Sequence, residues 1–457
     1  MLRNFYNTFL NCFKIPELSS RIWFTLGLLA ICQVLSFIIL PGIDRTVLAS
    51  HFQQEQGSGG MLALYNAFAG GAFDRCALTS LSIMPYISAT IIIQLLTAVW
   101  PRLSKLAREE GGRTQIIQYG RYLTVLICLG QGFYFANSWL RPQNGASLVF
   151  ADSNHAWFLA QTVILLTAGT MLMVWLGEQI TERGIGNGVS LIIAANILTR
   201  LPNAFTALGG MFGGDSPTHS LMGTGILLVV LLILVIAGVI AITQAQRKIP
   251  VQYASRMVGQ KMYQGGNSFM PLKVNYAGVM PIIFASSILM FPPFVLTWLA
   301  NVSATRAPYF KDVFSSMSIA MAYGSWLYLL IYSLMILFFS YFWVATQFNE
   351  IQIADDMKKN GGYIPGVRPG QATSDYLHNA MNRITLAGAF FLTIIAILPI
   401  ILQKQLSIDQ NVSQFFGGTS MLIAVGVLLD TMRQVESHLM MRHYDGFLKK
   451  GKLRGRF

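Results

Sequence analysis

Hydrophobic and polar positions in this chain are sorted into long blocks rather than into the short alternation of a soluble domain. Ten apolar stretches, near 22–40, 77–99, 122–139, 156–176, 189–198, 221–242, 274–300, 319–346, 384–402 and 415–429, carry no Asp, Glu, Lys or Arg in their interiors. Most reach the roughly 20 residues that a helix needs to cross about 30 Å of hydrocarbon. The pattern predicts an all-α polytopic membrane protein with ten transmembrane helices. The fifth stretch is short, and the distribution of basic residues decides its status: with ten spans and both termini inside, most of the 32 Lys and Arg fall on inner loops, whereas dropping that span reverses the balance. It is therefore kept as a short helix shielded by protein, with Asn187 as its cap and Gly184, Gly186 and Gly188 as breakers before it.

Five stretches, a Gly- and Pro-containing outer loop near 200–220 and five more stretches divide the chain into halves, 1–205 and 221–457. An odd number of spans per half gives the two halves opposite orientation, as in inverted-repeat folds. Two long inner loops interrupt the second half. In 244–273, Ile249, Val251 and Tyr253 alternate with polar positions and Gly265-Gly266 follows Met262-Tyr263, which predicts a small β-hairpin. In 347–383, an amphipathic helix over 351–360 precedes Gly361-Gly362-Tyr363-Ile364-Pro365-Gly366-Val367-Arg368-Pro369-Gly370, a run that its prolines and glycines keep out of helix. Ordered inner projections of this kind dock partners. On the outer side, 61–73 is apolar but too short to span, and it reads either as a surface helix or as a re-entrant segment.

Composition narrows the chemistry. With a mean hydropathy of +0.52 and 11% charged residues, the 457-residue chain is an integral membrane protein. The net charge of +13 is explained in large part by topology. Cys12, Cys32, Cys76 and Cys128 form no disulfide or metal pattern, and the six histidines have no metal-ligand spacing. No phosphate loop or nucleophile turn occurs. Uncharged spans argue against a pump or an intramembrane protease, so no catalytic function and no cofactor are expected.

Five stretches carry a resemblance. GGAFDRCALTSLSIMPYISATIIIQLL at 70–96, WLGEQITERGIGNGVSLII at 175–193, PLKVNYAGVMPIIFASSILMFP at 271–292, IPGVRPG at 364–370 and FGGTSMLIAVGVLLD at 416–430 occur in the order and spacing of the SecY family. The chain resembles that family over nearly its whole length. The resemblance implies two five-helix halves around an hourglass pore in the bacterial cytoplasmic membrane, which conducts unfolded secretory proteins and releases hydrophobic segments sideways. It places the aliphatic pore ring at Ile83, Ile87, Ile193, Ile283 and Ile423.

The same resemblance makes 61–75 a plug of the outer funnel, with Met61, Tyr65, Asn66, Phe68 and Arg75 in it and Gly70-Gly71 as its joint. A lateral gate would carry Ser88, Thr90 and Gln94 in the second span and Asn275, Ser286 and Ser287 in the seventh. Arg256, Lys261 and Arg368 would meet the SecA motor ATPase or the ribosome. The small subunits SecE and SecG, signal peptides, nascent polypeptides and the lipid bilayer complete the implied partners. The docking loop departs from the family at Ala254-Ser255-Arg256 and Gly259-Gln260-Lys261, where more basic residues are usual, which implies a different grip on partners. An inverted-repeat solute carrier is the alternative, and it would want polar ligands where the aliphatic positions stand.

Overall fold

A computed structural model describes residues 15–45, 47–48, 66, 68–109, 111–140, 148–150, 154–212, 220–253, 256–258, 261–263, 267–289, 291–306, 308–406 and 419–450. They fall into two compact units, one of Met1–Asp215, Asp409–Phe415 and Ile423–Phe457, the other of Ser216–Ile408 and Phe416–Leu422.

The first unit opens with α1 (Pro16–Leu35), α2 (Met84–Val99), α3 (Pro101–Arg108), α4 (Gly112–Leu140), α5 (His155–Arg183), α6 (Gly188–Thr199) and α7 (Leu201–Phe212). Helix α2 stops at Trp100, which is extended (φ −92°, ψ 112°) because the ring of Pro101 disfavours a helical residue before it. Helix α3 then leaves at 103°. The Asn187 cap predicted from sequence is present: its side chain accepts a hydrogen bond from Ser190 N at 3.2 Å. Twelve-residue α6 is buried over most of its length.

One expectation is corrected here. The stretch 77–99 reads as one span, yet α2 begins only at Met84 and 69–83 runs as successive turns. The cause is a tight crossing: a Cβ on Gly169 of α5 would lie 2.2 Å from the Leu78 carbonyl oxygen, so this segment's backbone rests directly on α5. Phe73 adds an apolar anchor, its ring 5.0 Å from Phe135 and 5.9 Å from Trp139 of α4.

The second unit contains α8 (Ser220–Gln244), β1 (Gln246–Tyr253), β2 (Arg256–Val258), β3 (Lys261–Tyr263), β4 (Asn267–Lys273), α9 (Met280–Leu289), α10 (Phe291–Arg306), α11 (Pro308–Ala320), α12 (Trp326–Gln347), α13 (Glu350–Lys359), β5 (Gly362–Tyr363) and α14 (Gln371–Leu406). The chain ends in α15 (Thr419–Lys450). The 274–300 stretch is divided between α9 and α10 where Pro292-Pro293 follow. Predicted helix 351–360 is α13, capped by Asn349 with Glu350 in its first turn and Lys358 and Lys359 in its last.

The fold is helical, as the apolar blocks predict, with a three-stranded and a two-stranded sheet among the described residues. Strands are antiparallel in the order β4-β1-β5, and β2 pairs separately with β3. Inward-facing Ile249 and Val251 alternate as the sequence predicts, and the expected turn at Gly265-Gly266 lies outside the described residues. Val258 pairs with Lys261, Met257 with Met262 and Arg256 with Tyr263.

By length and apolar composition, six helices among the described residues suffice to cross a bilayer, or seven if the bent pair α2–α3 is one span. Their outer faces are apolar: Trp23, Val34, Tyr122, Leu126 and Ile164 are all more than 60% exposed. This inverts the surface of a water-soluble protein and marks a multi-pass membrane protein.

Candidate functional site

Non-helical backbone between α1 and α2 is held in place by a set of buried hydrogen bonds. Leu40 N donates to Cys76 O at 3.0 Å and Leu78 N to Ile38 O at 2.8 Å, which fastens the segment to the end of α1. Ser80 Oγ lies 3.0 Å from Ala72 O and 2.6 Å from Ala77 O, and Ser82 Oγ donates to Phe68 O at 3.0 Å. From α6, Asn196 Nδ2 donates to the same Phe68 carbonyl at 3.0 Å, while Asn196 Oδ1 accepts from Gln33 Nε2 of α1 at 3.0 Å. Gln33 Oε1 in turn accepts from Thr199 Oγ1 at 3.0 Å. At Gly70, φ is +64° and an added Cβ would lie 3.2 Å from Asn196 Cα, so glycine is required by conformation and by space.

Charges cluster beside this knot. Arg200 Nη2 is 3.3 Å from Asp74 Oδ2, and Arg75 lies over the Phe37 ring at 4.1 Å. Burial raises the Asp74 carboxyl above its ordinary range, against the opposing pull of Arg200, the Asn66 side-chain hydrogen bond and Arg75. Burial likewise lowers Arg200, partly offset by Asp74. Of the residues expected in a plug, Met61 and Tyr65 lie outside the described residues. Asn66, Phe68, Gly70, Gly71 and Arg75 are described: Asn66 and Phe68 are buried, and Gly71 N donates to Asn66 O at 3.1 Å.

All five expected ring isoleucines, Ile83, Ile87, Ile193, Ile283 and Ile423, are at most 4% exposed. Ile83 sits at the start of α2 and accepts a backbone hydrogen bond from Ile87 N at 3.2 Å. Ile193, Ile283 and Ile423 lie on α6, α9 and α15. The expected gate hydroxyls bond to their own helices. Ser88 Oγ donates to Met84 O (3.1 Å), Thr90 Oγ1 to Ile87 O (2.8 Å), and Ser286 and Ser287 both to Ile283 O (3.0 and 2.7 Å). Asn275 Nδ2 donates to Gly278 O at 2.9 Å, and Gln94 is exposed.

Arg368 is exposed on a loop held from beneath by apolar packing. Ile364 is 3% exposed in a core with Ile249, Leu272, Val344, Phe348 and Leu377, and Val367 packs against the same core. Val367 N donates to Ile364 O at 3.0 Å, Thr373 Oγ1 to Arg368 O at 2.9 Å, and Gly366 and Gly370 take positive φ. Arg256 and Lys261 stand on β2 and β3. Among the described residues no group of His, Cys, Asp and Glu is placed to hold a metal ion.

Sequence reasoning missed Gln33, Asn196 and Thr199. Gln33 and Asn196 are uncharged polar residues inside apolar stretches, and that was the available signal, whereas Thr199 stands just past the end of one.

The SecY family model matches residues 77–432. The chain belongs to the SecY family. Over 460 residues it is 42% identical to the protein translocase subunit SecY of Chlamydia muridarum, covering 97% of this chain and 98% of that protein. It is 41% identical to the Thermotoga maritima subunit (99% and 100% covered) and 40% identical to that of Escherichia coli K12 (96% and 96%). Among solved structures, "The structure of a protein conducting channel" matches with a TM-score of 0.61 at 16% identity, covering 95% of this chain and 94% of that one. Sec61 in the canine ribosome-channel complex matches with a TM-score of 0.57 at 15% identity and the same coverage. The fold is that of the SecY/Sec61 channels. As a SecY-family protein the chain is a channel subunit and not an enzyme.

Proposed function

We propose that this chain is the pore-forming subunit of a bacterial protein translocase, with ten spans in two inverted halves and both termini in the cytoplasm. It passes unfolded secretory chains across the inner membrane and releases hydrophobic segments sideways into lipid. The observation that carries this reading is the near-full-length identity to translocase subunits. Five isoleucines that are almost fully buried, in stretches free of charge, support a closed aliphatic waist. Branched apolar side chains at a constriction exclude water and ions by dewetting, yet yield to a polypeptide of any sequence.

The other roles follow from the same reading. The 61–75 segment is the plug, and the hydroxyls on α2 and α9 line the lateral gate. Those hydroxyls are bonded within their own helices, so opening the gate need not leave buried donors unpaired, which would each cost about 1–3 kcal/mol. Arg368, Arg256 and Lys261 face the cytoplasmic partners, SecA or the ribosome, and SecE and SecG flank the channel. A guanidinium between Pro365 and Pro369 suits bidentate contact with carboxylate or phosphate. The energy for translocation comes from a partner.

The test is a crosslink from a stalled secretory polypeptide to a photoreactive probe at position 283. An adduct is expected, together with relaxed signal stringency and ion leak in Ile87→Asn. Absence of the adduct alongside a reactive control channel favours a solute carrier.

A further inference from the structure

We propose that Asn196, held by Gln33 and Thr199, is a latch on the 66–83 segment that sets how strong a signal segment must be to open the channel. The proposal rests on the reading of 61–75, which overlaps this segment, as a plug.

Geometry makes Asn196 the hub. Its amide is 2% exposed and uses both ends: Oδ1 takes the Gln33 Nε2 proton and Nδ2 serves Phe68 O, with Ser82 Oγ at 3.5 Å. Thr199, one turn further along α6, has a single hydroxyl proton facing both Ala195 O at 2.9 Å and Gln33 Oε1 at 3.0 Å, and so orients the glutamine. Phe68 O is therefore the acceptor of two buried donors, Ser82 Oγ and Asn196 Nδ2. The two bonds to Phe68 O are buried, where a broken bond has no water to replace it, while Gln33 and Thr199 are half-buried. Directly after Phe68, Gly70 packs against Asn196 itself, so the segment cannot lift without exposing both faces of the amide.

The network is also directional. Its connections run from α1 and α6, and from Ser82 at the segment's end, to one carbonyl at its beginning, whereas its middle is fastened by backbone bonds to residues 38–40 and by Phe73 on α4. The segment is thus releasable at Phe68 and anchored at 73–78. Asp74–Arg200 lies between the two, at 3.3 Å, with both groups partly desolvated. No aliphatic residue at 196 could supply these bonds, and none of them serves the isoleucine ring.

The experiment uses the complete translocase in native membranes. Export of a substrate with a weakened signal is measured relative to the same substrate with an intact signal. Asn196→Ala is expected to raise that ratio about tenfold, as loss of two buried hydrogen bonds implies. Thr199→Val should raise it less, with intact-signal export unchanged. An unchanged ratio in both variants overturns the latch. Should Asn196→Ala fail to accumulate, Gln33→Met decides by the same ratio.

A cysteine pair, Gly70→Cys with Asn196→Cys, separates the latch from the plug reading beneath it. The built Cβ of residue 70 lies 3.2 Å from Asn196 Cβ, close to disulfide range. Oxidation should block export and reduction restore it. A crosslinked channel that still exports removes the plug reading and the latch together. Block by the crosslink with an unchanged signal ratio removes the latch alone. Because a side chain at φ +64° is strained, Gly70→Ala is measured beside the pair, and failure to crosslink while Gly70→Ala exports as wild type contradicts the packing on which the latch stands.

Discussion

The 66–83 segment of the first unit and the 361–370 loop of the second both hold irregular backbone in place, by different physics. The loop is fixed from one side by a continuous apolar core in which Leu377 is fully buried and Ile364, Ile249 and Leu272 are nearly so. Burial of this kind is non-directional and degrades gradually. The segment has Phe73 as its aromatic anchor, but its beginning and end depend on buried hydroxyls and one amide meeting single carbonyls. It also contains two non-glycine residues with positive φ, Cys76 (46°) and Ser82 (52°), a backbone cost of about 1–3 kcal/mol each. Directional bonds are lost one at a time and whole, unlike an apolar contact. The first design suits a fixed platform, and the second suits the plug role proposed for 61–75.

The largest expected effect breaks the segment's seat. Gly169→Leu would drive a side chain into the Leu78 carbonyl, and the protein should not accumulate in the membrane; wild-type yield and thermal midpoint would show that α5 does not carry the segment. Next comes Leu377→Ala, expected to cost about 2–5 kcal/mol through the cavity left in the core. Limited proteolysis should then cut within 361–370 while the signal-stringency ratio holds. A loop as resistant as wild type would mean that the core does not hold it.

The smallest effect is electrostatic. Because the Asp74 carboxyl is raised in the folded chain, the folded state binds its proton more tightly than the unfolded state does. Its contribution to stability therefore grows as pH falls from the raised value toward the ordinary carboxylate value of about 3.9, and is level on either side. Thermal midpoints against pH for wild type minus Asp74→Asn should show this slope; a slope of opposite sign would mean that Arg200 outweighs burial. No such slope belongs to the apolar-held loop.

What could be read in the sequence followed the same division. Apolar blocks announced the helices, α13 lay within a residue of its predicted bounds, and Pro and Gly marked the 361–370 loop, because burial and backbone restriction are written in residue types. The strand β5 was invisible: two residues have no periodicity, and their pairing with Gln252 and Tyr253 is a long-range choice. The turns before α2 were likewise hidden, since ALTSLSI is apolar enough to continue a span and long-range contacts, with Gly169 and with residues 38–40, hold it in turns. Gln33 and Asn196 are 163 residues apart, and no local pattern pairs them.

Strand β5 has a consequence for how partners are counted. Through it, the loop that carries Arg368 is hydrogen-bonded to β1, and only Ala254 and Ser255 separate β1 in sequence from the strand that carries Arg256. Under the docking role proposed for these residues, a protein gripping one of them finds the other tethered close by, at an effective concentration on the order of millimolar rather than that of free solution. Affinities measured with the two loops as separate peptides will then fall far below that of the intact sheet, and a change at Tyr363 or Gly362 that frees the strand should weaken binding without touching a single basic residue.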